Sequence, residues 1–134
     1  MIPLHAAIED RRPEFLVSSY DELETTITAA HVAARAVGKL NAIFLYAQNR
    51  DHVMLVVGGD ETVVGFNHGH GDPPYYVSRG AAHTDTPVLT AYVGLAHHTE
   101  FERRWVVSSV VGRAAARQFL ATGKRPTVVN WMER

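Results

Sequence analysis

From Asn41 onward the sequence alternates β-forming apolar residues with polar ones, in short runs cut by turn residues. The runs are Ala42 to Ala47, His52 to Val57, Thr62 to Phe66, Tyr75 to Ser78 and Val88 to Val93. A period of two turns one face of each run toward a core and the other toward solvent, so the centre of the chain reads as a sheet. The turns say which kind. Asn49-Arg50-Asp51 and Gly58-Gly59-Asp60 are too short for the crossover that a parallel pair needs, so adjacent strands are antiparallel and a meander is the economical topology. The longer breaks are Asn67 to Pro74 and Gly80 to Pro87. The first, Asn67-His68-Gly69-His70-Gly71-Asp72-Pro73-Pro74, is too rich in glycine and proline for regular structure and is expected to be an exposed loop, a common site of recognition residues.

The flanks supply helices. Leu4 to Ile8 and Phe15 to Val17 read as a first hairpin or as edge strands around the charged turn Glu9 to Pro13. Ser19 and Glu22 have capping-box spacing, and Leu23, Ile27, Ala30, Ala34 and Val37 then recur every three or four positions, predicting an amphipathic helix that ends near Gly38. Its outer face, with Asp21, Glu22 and Glu24 early and Arg35 and Lys39 late, complements the helix dipole and reads as solvated. Ser109 can cap a second helix with Val111, Ala114, Ala115, Phe119 and Leu120 on its apolar side and Arg113 and Arg117 one turn apart on another. Gly123 and Pro126 stop it, and Thr127 to Trp131 reads as a final strand. The expected fold is α+β: an antiparallel sheet of about six to seven strands with one N-terminal and one C-terminal helix packed against it. Residues 1–134 are expected to form one domain.

At 134 residues a chain buries about two thirds of its unfolded surface and needs no covalent staples. With no cysteine it has none, which removes disulfides, thiolate catalysis, cysteine-ligated zinc and iron–sulfur clusters. A reducing cytoplasm is the expected location. No run approaches the roughly 18 apolar residues of a membrane span, and the first residues, with His5, Glu9, Asp10, Arg11 and Arg12, lack a signal-peptide core. The net charge is −1, but residues 1 to 72 hold ten acidic and five basic side chains and residues 73 to 134 hold four and eight. That balance argues against direct nucleic-acid binding and permits an acidic face for a basic partner.

Reactive sets are sparse. His68 and His70 on a strand would share one face, but the third ligand of a metal site has only Asp72 nearby, and His97 and His98 would point opposite ways. Ser78, Ser108 and Ser109 sit in no nucleophile elbow. The pairs Glu9-Asp10, Asp60-Glu61 and Glu100/Glu102 read as polar turns, and Gly65, Gly69 and Gly71 form no phosphate loop. Tyr75 and Tyr76 beside Arg79 could stack a base, but on a strand one of them faces the core. No metal, cofactor or catalytic residue is implied, a profile that suits a binder.

The segment Arg117-Gln118-Phe119-Leu120-Ala121-Thr122-Gly123-Lys124-Arg125-Pro126, with Val128, Val129 and Trp131, resembles the closing signature of the first-numbered immunity-protein family of bacterial polymorphic toxin systems. The matching positions are Phe119, Gly123, Arg125, Pro126 and Trp131, which by physical reading are fold determinants, with Trp131 expected in the core. The resemblance implies an antitoxin without catalysis, whose partner is a cognate toxin domain, often a nucleic-acid deaminase with a zinc-bound water. The expected complex is a monomer in a 1:1 heterodimer that covers the toxin's substrate cleft. An acidic surface would complement the basic surroundings of such a cleft, and the expected interface is Asp60, Glu61, His68, His70, Asp72, Tyr75 and Tyr76. Two alternatives stand beside it: a small metal- or ligand-binding domain or enzyme using the His68/His70 loop, and a scaffold that self-assembles through a sheet edge.

Overall fold

The computed structural model describes residues 1–82 and 87–134. Two serines start its two long helices. Ser19 Oγ accepts from the Glu22 amide at 3.1 Å and donates to the Glu22 carboxylate at 3.3 Å, opening α1 (Tyr20–Val37). Ser108, one residue before the expected cap, accepts from the Val111 amide at 3.3 Å and opens α2 (Ser109–Thr122). Arg113 and Arg117 of α2 both reach Glu24 of α1, at 3.0 and 3.7 Å, so part of the face expected to be solvated instead ties the helices together.

Eleven strands form among the described residues: β1 (Leu4–Ala7), β2 (Phe15–Val17), β3 (Asn41–Tyr46), β4 (His52–Val57), β5 (Glu61–Thr62), β6 (Val64–Asn67), β7 (Tyr76–Ser78), β8 (Pro87–Val93), β9 (His97–Glu102), β10 (Val107–Ser108) and β11 (Trp131–Glu133). A short 3-10 turn, Arg103–Trp105, follows β9. Nine strands make one sheet in the order β11-β7-β6-β4-β3-β1-β2, with β8 beside β3 and β9 beside β8, and β5 pairs with β10 in a small ladder. The α+β expectation holds, and the strand count exceeds it, through short β10 and through two further features. The run from Thr62 to Phe66 breaks at Val63, where Thr62 Oγ1 takes the Val56 amide at 3.0 Å and donates to the Val56 carbonyl at 2.8 Å. His97 to Glu102, too polar to advertise a strand, pairs with β8 as a hairpin.

The meander β3-β4-β6-β7 is present, but β8 does not continue it. Phe44 to Tyr46 of β3 pair with β1, whereas Asn41 and Ala42 pair in parallel with Tyr92 and Val93 of β8. Part of the break expected at Gly80 to Pro87, residues 83–86, lies outside the described residues.

The helices cover one face of the sheet. Ile43, Leu45, Val53, Leu55, Val64 and Phe66 meet Leu23, Ile27, Ala30, Ala115, Phe119 and Leu120 there. On the other face Ala42, Val56 and Val77 are buried under Leu89, Ala91, Phe101 and Trp105, contributed by β8, β9 and the 3-10 turn. That cover stops short. Toward the far end of β3 and β4, Phe44, Tyr46, His52 and Met54 remain half-buried, and the Arg50 guanidinium lies 3.9 Å over the Tyr46 ring while binding Glu14 at 2.8 and 2.9 Å. The Arg50 bonds hold the Glu14 carboxyl below its usual range; burial pushes the His52 imidazole down and the Tyr46 phenol up.

Among the described residues three polar side chains are fully inside, and each is bonded to two partners, as burial of polar atoms demands. Thr62 holds β5 to β4 as described. Ser78 Oγ accepts from the Val64 amide at 3.0 Å and donates to the Trp105 carbonyl at 2.7 Å. Asn41 Nδ2 donates to the Ile8 carbonyl at 2.9 Å and its Oδ1 accepts from the Leu95 amide at 3.0 Å.

Candidate functional site

The chain leaving α2 does not go straight into a strand. Gly123 adopts the left-handed conformation at φ 67, and Thr122 Oγ1 accepts from the Lys124 amide at 3.1 Å. Gln118 reaches past the helix end: its Oε1 accepts from the Thr127 and Val128 amides at 2.9 and 3.2 Å, and its Nε2 donates to Thr127 Oγ1 at 2.7 Å. Those amides are therefore unavailable to a sheet ladder, and the final strand begins at Trp131 rather than at Thr127. Trp131 Nε1 donates to the Pro126 carbonyl at 2.7 Å, closing the turn from its other side. Replacing Gln118 by Ala is expected to lower stability by about 1–2 kcal/mol, because the turn amides lose their shared acceptor, and to speed hydrogen exchange at Thr127 and Val128. Unchanged exchange at both amides would remove Gln118 from this role.

This turn forms one wall of an open groove of about 570 Å³. Arg125 is exposed, with its guanidinium 4.1 Å over the Tyr76 ring, and Tyr76 meets Trp131 edge-on at 6.4 Å. Pro126 is buried behind them, and Lys124 stands at the rim.

Asp51, Phe66 and His68 make the opposite wall. Asp51 accepts from the Gly69 amide at 2.8 Å and from the Asn49 side chain at 3.3 Å, and His68 Nδ1 lies 3.8 Å from it. A Cβ on Gly69 would collide with the Asn49 carbonyl, so the loop after β6 rests against the β3–β4 turn. His68 stacks on His70 at 5.2 Å and meets Phe66 edge-on at 5.3 Å. The loop also bonds to itself: His70 Nδ1 accepts from the Asp72 amide at 2.9 Å, and the Tyr75 hydroxyl donates to the Gly71 carbonyl at 2.9 Å.

The residues expected to act together divide into two groups. His68 and Tyr76 border the groove, and exposed His70, Asp72 and Tyr75 lie on the loop beside it. Asp60 and Glu61 sit past the opposite end of β4, about 20 Å away at the usual rise per strand residue. There the Asp60 carbonyl accepts from the Ser109 amide at 2.9 Å, and Arg103 holds the Glu61 carboxylate at 3.0 Å. Of the signature positions, Phe119 is fully buried and Gly123 caps the helix, as expected. Trp131 departs from expectation in part: it packs against the edge of the core but is only half-buried, and it also lines the groove, with its indole N–H bonded to the Pro126 carbonyl.

Asp51, Phe66, Lys124 and Gln118 were not singled out from sequence. The alternation in β6 already placed Phe66 and His68 on one side, whereas Asp51 and Lys124 read as ordinary turn and helix-stop residues. His97 and His98 lie exposed on β9, beside Asp10 at 3.7 Å and Glu100 at 3.9 Å respectively. Among the described residues no three histidine or acidic side chains gather where one metal ion could be held. No helix is long and apolar enough to cross a membrane among them either. The groove offers a cation stacked on an aromatic ring, apolar walls and a rim of histidine and tyrosine, which is the chemistry of recognition.

A family model described as Immunity protein Imm1 matches residues 11–133. No curated protein matches the sequence.

Proposed function

The chain belongs to the Imm1 immunity-protein family, and from that premise we propose that it binds a cognate toxin and silences it by occupying the toxin's working surface, with no reaction of its own. The observation that carries this is the extent of the family match, which runs from before β2 to the last residue of β11. The finer proposal is that the toxin is a nucleic-acid deaminase met in the bacterial cytoplasm as a 1:1 complex. A deaminase must admit a nucleotide to a confined pocket, so a protein seated over that entrance suffices to stop it.

The proposed interface is the loop bearing His68, His70, Asp72, Tyr75 and Tyr76 together with the groove beside it. Rigid aromatic groups next to an apolar depression make good anchors, because little side-chain freedom is lost on docking. A standard footprint of about 800 Å² per partner reaches only about 16 Å from its centre, which leaves Asp60 and Glu61 outside one centred here.

The test is co-expression with the toxin domain encoded in the neighbouring reading frame. The parent chain is expected to restore growth and to co-purify with the toxin in equal amounts. The double substitution His70→Ala, Tyr75→Ala is expected to raise Kd by about 10-fold or more with thermal unfolding unchanged. Absence of both rescue and co-purification would sink the function; rescue and Kd untouched by the double substitution would sink the surface.

A further inference from the structure

We propose that the groove seats an acidic side chain of the toxin, an aspartate or glutamate held between Arg125 and Lys124; this rests on the immunity function proposed above. Charge complementarity carries the argument. Asp51 is the one carboxylate lining the groove among the described residues, and its oxygens are already engaged by the Gly69 amide and the Asn49 side chain. Lys124 and Arg125 stand on the other wall, and among the described residues neither has a carboxylate partner. The described groove lining therefore carries two cations against one carboxylate, and neither cation is paired with that carboxylate.

The arginine is also pre-aimed. Its guanidinium is held 4.1 Å over the Tyr76 ring, no side-chain hydrogen bond occupies its N–H groups among the described residues, and their planar fork matches a carboxylate. The turn carrying it is fixed by Gln118 on one side and by the Trp131 to Pro126 bond on the other, so little ordering is left to occur on binding. Phe66, Val129 and Trp131 bring apolar surface to the same depression, and a charge pair formed against apolar walls is stronger than one in water. A nucleic-acid phosphate fits less well. Two cations beside Asp51, on a chain of net charge −1, supply few of the contacts from which polyanion affinity is built.

Binding of the full chain to its catalytically inert toxin domain tests this, by calorimetry at low and high salt. Lys124→Glu and Arg125→Gln are each expected to raise Kd by about 30-fold and to flatten the salt dependence, with Arg125→Lys retaining only part of the parent affinity. Exposed Lys124 makes no side-chain bond within the described residues, so its variant separates binding from folding, and thermal unfolding checks both. An Asp or Glu to Arg substitution on the toxin that restores binding to Arg125→Glu would identify the seated side chain.

If the parent binds the toxin and the folded variants bind it equally well, the carboxylate seat is wrong while the immunity function stands. If the parent does not bind at all, that function fails and this proposal with it. Tight binding of a labelled single-stranded 20-mer of DNA or RNA that the toxin displaces, and that Lys124→Glu abolishes, would assign the groove to phosphate and overturn the proposal.

Discussion

Phe119→Ala is expected to destabilise the protein by about 3–5 kcal/mol, lowering the midpoint of thermal unfolding by roughly 10–20 °C. Phe119 has no exposed surface, and its ring meets that of Phe66 edge-on at 6.2 Å, joining α2 to the centre of the sheet. The loss combines the transfer of a large apolar group with the cavity it leaves, and the second part depends on how far the surroundings can collapse. Here they are held apart. Arg113 and Arg117 tie α2 to Glu24, and Gln118 fixes the chain beyond the helix, so α2 cannot settle freely into the gap. Phe119→Leu, which refills most of the volume, should recover more than half of the loss. Chemical denaturation of both variants checks the assignment, and a parent-like midpoint for Phe119→Ala would contradict it.

The second large effect is expected from Asn41→Leu, a change of similar volume that removes both hydrogen-bonding atoms. The Ile8 carbonyl and the Leu95 amide each lose the partner that Asn41 supplies, at about 1–2 kcal/mol apiece for a part-buried group left unsatisfied, so a total of about 2–4 kcal/mol is expected. The effect is distributed in a way a simple packing defect is not. Asn41 joins the end of β1 to the turn between β8 and β9, where the Asp10 amide also donates to the Gly94 carbonyl at 2.8 Å. Amide exchange at Asp10 and Leu95 should therefore accelerate together, ahead of amides in β4. Asn41→Asp, which keeps an acceptor for Leu95 but sets a buried carboxylate against the Ile8 carbonyl, should destabilise at least as much at neutral pH. Retention of slow exchange at both sites in Asn41→Leu would remove Asn41 from this role.

The elements that sequence pattern located are those whose determinants are local. The capping serine and terminal glycine of α1, the first hairpin and the meander β3-β4-β6-β7 each follow from residues within a few positions of one another. What escaped depends on partners distant in the chain. β9 is polar because it lies near the molecular surface, and its pairing comes from β8; the final strand starts late because Gln118, nine residues before Thr127 on α2, captures the amides that alternation would have spent on a ladder. The same distinction holds at the site. His68, His70, Asp72, Tyr75 and Tyr76 could be found as an exposed loop, but Arg125 and Trp131 looked like the end of a helix and a core residue. Only the return of the chain to pair β11 with β7 brings them against Tyr76.

The two sides of the groove differ in how they are attached. Lys124 to Trp131 continues directly from α2, the helix that carries Phe119, so a change of backbone there propagates into the interior. Residues 70 to 75 bond largely to one another, so the exposed side chains of His70, Asp72 and Tyr75 are expected to be exchangeable with little consequence for the rest of the molecule, while Gly69, packed on the Asn49 carbonyl, must stay. On the interface proposed above, retargeting would be a matter of rewriting a short detachable segment opposite a stationary jaw, and new partner preference would be acquired without renegotiating the fold.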